Sequence, residues 1–393
     1  MTQVIFTERC DYMKVIAAID SFKGSMTSME AGNAVKKGIL AAKPDAEVVV
    51  NPLADGGEGT VDALIEGLGA KKIPVTVAGP LGEKVSCYYG FLEETKTAVM
   101  EMASAAGITL VTKKDPLRAS TYGVGEMIAD ALKRGCKNFM IGIGGSATND
   151  GGIGMLKALG FEFFDEDGND VGEGAAALAK IRIKMEYTIE VIQTENKNPL
   201  LSGAKFQIAC DVKNSLCGKQ GATYIFGPQK GVTEEQKSKV DEAMKHYADV
   251  TKESLGCDFA DCEGAGAAGG LGYAFLSYLA GELIPGVELI LQATGLEEKM
   301  KNADVVVTGE GRLDAQTVMG KAPAGVAALA KKYNAKVIAF AGSVAPEAKV
   351  CNRAGIDAFF PIVRGVTTLE EAMKKENAME NIAATAEQVF RLL

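Results

Sequence analysis

The sequence predicts an α/β protein with a parallel sheet and two domains, and three observations support this fold class. Short apolar runs alternate with helical patterns, which is the βαβ rhythm of a parallel sheet. The chain has 393 residues, more than one ordinary hydrophobic core holds, so two domains are expected. Apolar residues make up 47% and charged residues 24% of the chain, which is the composition of a soluble globular protein.

The N-terminal part predicts two strand–helix units. Lys14–Ile19 is an apolar run typical of a buried strand. A capping box formed by Thr27 and Glu30 then predicts the start of a helix. Glu47–Asn51 is the next strand, and a helix is expected from Thr60 to about Gly67.

The middle of the chain changes character and then returns to the same rhythm. Residues 73–102 contain alternating runs that predict a hairpin-like segment. Cys136–Ile141 predicts a buried strand, a glycine-rich stretch follows to Gly152, and Ile153–Leu159 predicts a short helix. Ala204–Cys210 is a further strand.

The C-terminal part adds two strands and two helices. Ala303–Thr308 and Lys336–Phe340 are expected to be strands that end at polar, glycine-containing loops. A helix is expected over 317–333, although Pro323 marks either a break or its true first turn. From Thr368 onward the chain is expected to be helical.

Charge and cysteine usage exclude several classes of partner. The net charge of −9 leaves no basic excess for a nucleic-acid backbone, although a small phosphorylated ligand needs only a few local cations. The eight cysteines are scattered without a CxxC pair, which predicts reduced thiols in the cytoplasm. Residues 264–281 carry no charge, but their Gly and Ala content favours a buried helix over a membrane span, so no membrane partner is expected.

Polar, glycine-flanked clusters follow one predicted strand after another. In open parallel sheets the ligand crevice lies outside the carboxyl ends of the strands, so clusters at so many strand ends predict one shared site. These clusters occupy residues 20–25, 54–59, 144–152, 211–214, 309–314 and 342–343.

The stretch Ile141–Gly152 is the densest of these clusters. A strand, a glycine-rich turn and a helix start predict an anion site, because glycines let the backbone approach and helical N–H groups are free there. Gly142-x-Gly144-x-x-Ala147 also matches the dinucleotide fingerprint, with Asp165 as the acidic residue, so an NAD site is an alternative. A tight turn without any ligand is the third reading.

Carboxylates and cations accompany the glycines. Paired acids such as Asp55 with Glu58, or Glu310 with Asp314, suit Mg²⁺ or a general base. An Asx-turn or a helix cap is the structural alternative for a single acid. Residues 266–272 predict either a phosphate-contacting turn or close helix packing. The cations near these loops are Lys23, Lys213, Lys230, Arg312 and Lys321.

Seven motifs occur in a fixed order along the chain and carry a resemblance to one family. The motifs are Asp20-Ser-Phe-Lys-Gly-Ser25, Ala54-Asp-Gly-Gly-Glu-Gly-Thr60, Gly144-Gly-Ser-Ala-Thr-Asn-Asp-Gly-Gly152, Ala209-Cys-Asp-Val-x-Asn214, Gly227-Pro-Gln-Lys-Gly231, Gly266-Ala-Ala-Gly-Gly270 and Thr308-Gly-Glu-Gly-Arg-Leu-Asp314. With them the chain resembles the bacterial glycerate kinases of the type-I family from about Met13 to its C-terminus, with Ser215 where the family usually has Pro. The resemblance implies ATP- and Mg²⁺-dependent phosphorylation of D-glycerate, with 2-phosphoglycerate as the expected product.

The resemblance also implies a domain plan. A discontinuous Rossmann-like domain with a parallel sheet is expected over residues 13–78 and 296–393. An inserted, mixed α/β domain is expected over residues 79–295, after an N-terminal extension of residues 1–12. The family places its site in the cleft between the two domains, with ATP and glycerate as small-molecule partners.

From the clusters and the resemblance we predict three groups of site residues. The predicted catalytic residues are Asp20, Lys23, Asp211, Arg312 and Asp314. The predicted substrate- or nucleotide-binding residues are Ser21, Asp55, Gly57, Glu58, Gly144, Gly145, Ser146, Thr148, Asn149, Asp150, Asn214, Gly269, Gly270 and Glu310. The predicted Mg²⁺ ligands are Asp211, Glu310 and Asp314.

Two other functions are kept as alternatives. An NAD-dependent oxidoreductase of a small hydroxy acid would use the fingerprint at residues 142–147 and Asp165. A regulatory protein that senses a small phosphorylated acid would bind its ligand without turnover. The density of carboxylates beside cations favours the kinase, because a sensor needs no base.

Overall fold

The computed structural model describes residues 12–54, 60–182, 192–193 and 197–393. These residues form two compact units. The first unit comprises residues 12–54 and 290–393, and the second comprises the described residues from 60 to 289.

Thirteen strands are described, and those of the predicted βαβ segments lie where the sequence places them. The strands are β1 (Lys14–Ile19), β2 (Glu47–Pro52), β3 (Lys71–Ala78), β4 (Lys84–Leu92), β5 (Thr97–Glu101), β6 (Asn138–Gly142), β7 (Glu162–Phe163), β8 (Ile192–Gln193), β9 (Lys205–Ala209), β10 (Glu282–Ile284), β11 (Val305–Leu313), β12 (Lys336–Val344) and β13 (Ala358–Pro361).

The described α-helices number fifteen. They are α1 (Ser28–Ala42), α2 (Thr60–Leu68), α3 (Ala103–Ala106), α4 (Tyr122–Lys133), α5 (Ile153–Ala158), α6 (Ala175–Leu178), α7 (Ala222–Lys230), α8 (Glu234–Leu255), α9 (Ala267–Leu279), α10 (Gly286–Ala293), α11 (Leu296–Met300), α12 (Ala322–Lys332), α13 (Val350–Arg353), α14 (Leu369–Met373) and α15 (Lys375–Phe390).

The first unit contains a five-stranded sheet in the order β13-β12-β11-β1-β2, and every pair in it is parallel. Successive side chains of β1 from Val15 to Ile19 are fully buried, so both faces of the sheet are covered. Helix α1 packs on α15 and on β1 and β2, and α12 contacts β11 and β12. Counted within the first unit alone, β1, β2, β11, β12 and β13 are strands 1 to 5, and their order in the sheet is 2-1-3-4-5. The direction in which the chain winds reverses between β1 and β11.

The helix boundaries of the first unit follow from their caps. Thr27 and Glu30 form the capping box that the sequence predicts. The helix expected over 317–333 begins only at Ala322, because Lys321 is its N-cap and Pro323 lies in the first turn. The C-terminal helix is two helices, α14 and α15, which are separated at Lys374.

Strands β11 and β12 are longer than the sequence predicts. Residues 309–313, expected as a loop, continue β11 and pair with β12 as far as Leu313 opposite Val344. Gly309 makes this possible, since a Cβ there would lie 2.1 Å from the carbonyl oxygen of Phe340. The charged residues of this motif therefore lie on a rigid strand end.

The second unit contains a six-stranded mixed sheet in the order β10-β9-β6-β5-β4-β3. Strands β3, β4 and β5 pair antiparallel, whereas β5, β6, β9 and β10 are parallel. Because β3 pairs with β4 along its whole length, residues 60–78 belong to this unit and not to the first, in contrast to the predicted boundary at residue 78. Residues 290–295 likewise belong to the first unit.

Aromatic side chains form much of the core of the second unit. The Phe139 ring stacks on that of Phe206 with centroids 4.7 Å apart, and Phe275 of α9 contacts Phe206. Helix α8 buries Tyr247 and neighbouring residues against this core. The described part of the chain includes no helix that is both long and apolar enough to cross a membrane.

Candidate active site

A cavity of about 440 Å³ lies in the first unit at the carboxyl ends of its parallel strands. This is the end at which the winding reverses between β1 and β11, where doubly wound sheets bind their ligands. The polar residues that line the cavity are Asp20, Ser21, Lys23, Ser25, Glu310, Arg312, Asp314, Lys321, Ser343 and Asn381.

Glu310 is a buried acid of this cavity, with 8% of its surface exposed. Its Oε1 accepts a hydrogen bond of 2.7 Å from the Thr317 hydroxyl, and its Oε2 accepts one of 3.2 Å from the Lys321 ammonium. Burial raises the pKa of Glu310, whereas the Thr317 hydrogen bond and the Lys321 charge act in the opposite direction. The carboxylate is therefore held in a fixed orientation beside a cation.

Asp314 follows on the same strand end and is tied to the same threonine. Its main-chain N–H donates to Thr317 Oγ1 at 3.1 Å, and its Oδ1 accepts from the Gln316 N–H at 2.8 Å. The second of these bonds closes an Asx-turn, which is the structural role that a single acid can have in such a loop. The other carboxylate oxygen lies 3.8 Å from Nε of the exposed Arg312.

Asp20 and Lys23 come from the neighbouring strand end. The N–H of Asp20 donates to the Gly309 carbonyl at 2.9 Å, which fixes the end of β1 against β11. Its Oδ1 accepts from the Ser21 N–H at 2.7 Å. Lys23 is exposed at the rim.

Part of the cavity lining is apolar. Ile362, Leu369, Met373 and Ala378 form this part, from the segment after β13 and from α14 and α15. The cavity therefore combines charged groups with an apolar part, the usual composition of a small-molecule site.

The donor set of this cavity suits a hard divalent cation. Glu310 and Asp314 offer carboxylate oxygens, which Mg²⁺ prefers, and Mg²⁺ commonly takes only one or two protein carboxylates together with phosphate oxygens. Over the described residues, no group of three or more His, Cys, Asp or Glu side chains is placed to hold a metal by protein ligands alone. The residues thus fit Mg²⁺ that arrives with a phosphate chain.

The second unit carries the stretch Gly144–Gly152, here called the glycine loop, directly after β6. Its centre is Asp150, which has 0% of its surface exposed. The Asp150 Oδ2 accepts from the N–H and the hydroxyl of Thr121, each at 2.8 Å. Its two oxygens also accept from the N–H groups of Gly152 at 3.1 Å and Gly154 at 3.3 Å.

These bonds change the expected role of the helix start. The N–H groups of Gly152 and Gly154, expected to face an anion, are taken by the Asp150 carboxylate. Helix α5 has only six residues, so it contributes little dipole. The helix N-terminus is therefore not the anion site, and the exposed part of the loop is Gly144 and Gly145.

The stretch 266–272 packs directly against the glycine loop. Ala268, Gly269 and Gly270 all have left-handed backbone angles, with φ of 52°, 70° and 91°. A Cβ on Gly269 would lie 2.1 Å from the Thr148 carbonyl oxygen, and one on Gly270 would lie 2.7 Å from Gly151 Cα. Of the two readings of this stretch, the structure supports close packing as the reason for both glycines.

Lys230, the last residue of α7, lies beneath the glycine loop with 2% of its surface exposed. Its ammonium donates to the Thr148 carbonyl at 2.6 Å and to the Ser146 hydroxyl at 3.2 Å. Burial lowers the pKa of Lys230 to about 7, while the charge of Asp150 acts in the opposite direction. Asn149 donates to Thr223 Oγ1 at 3.0 Å.

Asp211 and Asn214 follow β9 at the same edge of the sheet as the glycine loop. The Asp211 Oδ1 accepts from the Gly286 N–H at 2.9 Å. The Asn214 amide donates to the Gln220 carbonyl at 2.7 Å, which closes the loop after the strand. Both side chains therefore shape the backbone at the strand end.

The predicted site residues divide between the two units. The cavity of the first unit collects Asp20, Ser21, Lys23, Glu310, Arg312 and Asp314. The second unit collects the glycine loop with Gly269 and Gly270, and Asp211 with Asn214. Asp55, Gly57 and Glu58 lie outside the described residues.

Three threonines at these sites were not predicted. Thr317 follows Asp314 at the spacing of a hydroxyl turn, so its position was readable from the sequence. Thr121 and Thr223 reach the glycine loop only through the tertiary fold and carry no local signal. Asp165, the acid of the NAD alternative, accepts from the N–H groups of Asp167 and Asn169 at 3.0 and 2.9 Å in an exposed turn.

The chain is similar to glycerate kinases over nearly its whole length. The sequence profile of the glycerate kinase family matches residues 15–393. The glycerate kinase of Bacillus subtilis (strain 168) is 44% identical over 379 residues, which cover 96% of this chain and 97% of that protein. The glycerate 2-kinase of Escherichia coli (strain K12) is 44% identical over 380 residues, which cover 95% of this chain and 98% of that protein.

The fold is shared as well. A crystal structure described as glycerate kinase 2 from Salmonella typhimurium LT2 matches with a TM-score of 0.87 and 41% sequence identity. The match covers 97% of this chain and 98% of that one. The predicted fold class is confirmed, and the comparisons give no support to the oxidoreductase alternative.

Proposed function

The chain belongs to the glycerate kinase family of phosphotransferases, and from this premise we propose that it transfers the γ-phosphoryl group of ATP to D-glycerate with the help of Mg²⁺. The proposed acceptor is the 2-hydroxyl group, which gives 2-phosphoglycerate and ADP. The name of the E. coli relative, a glycerate 2-kinase, supports this position.

One observation supports the proposal most directly. Glu310 and Asp314 lie beside the cations Arg312 and Lys321 in a cavity at the carboxyl end of β11. Phosphoryl transfer requires positioning and charge neutralisation more than covalent chemistry, and a cluster of fixed carboxylates and cations provides both.

The proposed roles in the first unit follow from exposure and charge. Arg312 and Lys23, which are exposed at the cavity, bind the carboxylate of glycerate or the transferring phosphoryl group. Asp20 and Asp314 are the candidates that accept the hydroxyl proton or bind the metal. Lys321 and Thr317 hold Glu310 in orientation.

The proposed role of the second unit is to bind phosphates through main-chain groups. The exposed Gly144 and Gly145 would contact the nucleotide, with the adjoining main chain of Ser146, whereas the side chains of Ser146, Thr148, Asn149 and Asp150 are buried and hold the loop in shape. Gly269 and Gly270 contribute by allowing their own turn to pack closely against the glycine loop. Asp211 and Asn214 stay candidates at the neighbouring strand end.

Mg²⁺ would be held by carboxylates among Glu310, Asp314 and Asp211, as proposed from the sequence. When bound with ATP, the ion neutralises charge on the transferring phosphoryl group. The cavity offers carboxylate oxygens, which suit Mg²⁺ better than a softer metal.

The location we propose is the cytoplasm. The seven described cysteines are all free thiols, which agrees with a reducing compartment. Cell fractionation with an antibody against the chain tests the location.

The test of the reaction is ATP consumption over a panel of small hydroxy acids, followed by NMR of the product. We expect turnover with D-glycerate, loss of turnover with EDTA, and a ³¹P–¹H coupling to the proton on C2. Coupling to C3 protons would overturn the 2-hydroxyl assignment. ATP binding without turnover of any acid would favour the sensor alternative over the kinase.

A further inference from the structure

A buried ammonium group lies beneath the glycine loop. Lys230 has 2% of its surface exposed, and among the described residues its Nζ donates to the Ser146 hydroxyl and the Thr148 carbonyl. Within the described residues, no side chain forms an ion pair with it. A buried lysine without a paired charge is costly, so its position requires an explanation.

The acid whose charge acts on Lys230 is not hydrogen-bonded to it. Asp150 acts on Lys230 through its charge, but its carboxylate oxygens are already occupied by four hydrogen bonds from Thr121, Gly152 and Gly154. Ser146 and Thr148, the two residues that Lys230 contacts, belong to the same loop as the exposed Gly144 and Gly145. The positive charge therefore lies against residues that directly follow the exposed Gly144 and Gly145 in the loop.

A second observation at the loop is independent of the lysine. No hydrogen bond between described residues uses the N–H groups of the exposed Gly144 and Gly145. The loop thus has unused donors at its surface, from which an anionic ligand can accept hydrogen bonds.

We propose that the Lys230 ammonium is the buried counter-charge for the phosphate chain of the nucleotide at Gly144–Ser146, acting through Ser146 and the main chain of Thr148. Lys230 is a positioning residue, since it lies behind the loop and does not reach the ligand surface. This inference rests on the proposed function, because it takes ATP as the ligand of the glycine loop. It adds a residue that the predicted site does not include.

The ionisation of Lys230 supplies a direct signal. Burial lowers its pKa to about 7, so near neutrality part of the ligand-free protein carries a neutral lysine. An anion bound above it favours the charged form, so binding draws a proton from solvent. Other titratable groups from the packed elements are Asp150 of the loop, Lys114 near Gly231, and Tyr247 and Tyr273, whose pKa values burial raises.

The experiment measures proton uptake when ATP binds, by calorimetry in HEPES and in Tris, which have different ionisation enthalpies. With the wild-type protein and without glycerate, we expect uptake approaching roughly one proton at about pH 8 and much less at about pH 6. Wild-type protein that binds ATP at about pH 8 without proton uptake overturns the proposal.

Three variants isolate the source of the proton. Lys230→Met should abolish the uptake and raise the KM for ATP by about tenfold or more, with a smaller change in kcat. Lys230→Arg keeps a permanent charge, so it should bind ATP better than Lys230→Met, also without uptake. Lys239→Met, on the exposed face of α8, is the matched control and should behave as wild type. Uptake by Lys230→Met equal to that of wild type contradicts the assignment.

The outcomes separate this inference from the proposed reaction. If glycerate is phosphorylated at the expense of ATP but no Lys230-dependent proton is taken up, only the inference fails. If ATP binds with Lys230-dependent uptake but no phosphoglycerate forms, only the proposed reaction fails. If ATP does not bind, both are overturned.

Discussion

The Asp150 carboxylate and Thr121 are joined by two hydrogen bonds, from the main-chain N–H and from the hydroxyl of Thr121, both at 2.8 Å. The same threonine hydroxyl accepts from the Met155 N–H at 2.9 Å. These contacts join the start of α4, the glycine loop and the first turn of α5 in one buried network. The loop is therefore preorganised by the fold before any ligand binds.

Replacement of Asp150 should act mainly on stability. Asp150→Ala leaves four buried donors without an acceptor, and we expect the free energy of unfolding to fall by about 3 kcal/mol or more. Thr121→Val removes one hydroxyl and should cost about 1–2 kcal/mol. Urea denaturation followed by circular dichroism measures both.

The control for Asp150 is another aspartate in a turn. Asp165→Ala removes two hydrogen bonds in an exposed loop, so a loss below about 1 kcal/mol is expected. If Asp150→Ala were as stable as Asp165→Ala and lost only activity, Asp150 would be a ligand-contacting residue and not a structural one.

Gly269 should tolerate no side chain. Gly269→Ala combines a left-handed φ of 70° with a Cβ placed 2.1 Å from the Thr148 carbonyl oxygen, so the glycine loop must move. Gly295→Ala has a φ of 59° but nothing within 4 Å of its Cβ, so it reports the backbone strain alone. We expect a loss of about 1 kcal/mol for Gly295→Ala and clearly more for Gly269→Ala.

The consequence for binding distinguishes the two glycines further. Because Gly269 packs on the loop proposed to hold phosphate, Gly269→Ala should also raise the KM for ATP, whereas Gly295→Ala should leave it unchanged. Equal stability losses in both variants would show that the close approach at Gly269 carries no energetic cost.

Lys230 should give the stability of the protein a distinctive pH dependence. Burial lowers its pKa from 10.5 to about 7, so between these values the folded protein has released a proton that the unfolded chain still binds. Stability from this group therefore rises with pH above about 7, and the cost of the buried charge is fully present below it. Relative to Lys230→Met, wild type should gain on the order of 1 kcal/mol per pH unit from about pH 7 to about pH 9.

Urea denaturation at several pH values measures this difference. Lys239→Met is again the control, since its exposed ammonium is solvated in both states. A stability difference between wild type and Lys230→Met that does not change with pH would mean that Lys230 stays charged in the folded protein throughout the range.

Much of the fold was readable because local signals and tertiary structure agree. The apolar run Lys14–Ile19 is β1 as predicted, and the capping box of Thr27 and Glu30 starts α1. The end of β11 was missed because Gly309 and Gly311 read as a loop in isolation. Only pairing with β12, which no local pattern records, keeps these glycines in a strand.

The candidate site was predicted as a set of residues but not as a set of roles. Strand-end clusters were readable because parallel strands present their carboxyl ends at one edge. The burial of Asp150 and Lys230 was not readable, because it depends on α4, α7 and α9 closing around the loop. A polar residue in a glycine-rich motif has the same sequence pattern whether it contacts a ligand or holds the loop.

The proposed carboxylate chemistry is tested by two isosteric changes. Asp314→Asn and Asp211→Asn keep the shape of each side chain but remove its charge, and we expect kcat to fall by about 10²–10⁴-fold where the residue accepts the proton or binds the metal. Asp45→Asn, at an exposed turn between α1 and β2, is the control. Near-wild-type kcat in both variants would refute the role given to these acids.

Thr317 offers the sharpest test of the cavity in the first unit, because its hydroxyl accepts from the Asp314 N–H and donates to Glu310. Thr317→Val removes both bonds without changing the shape of the side chain. The position of the Glu310 carboxylate relative to the end of β11 is then no longer fixed. We expect kcat to fall by about tenfold to a hundredfold, since small displacements of catalytic groups have effects of this size. Thr317→Ser restores the hydroxyl and should restore most of the rate. If Thr317→Ser were as slow as Thr317→Val, packing of the threonine methyl group, and not the hydrogen bond between Thr317 and Glu310, would position the site.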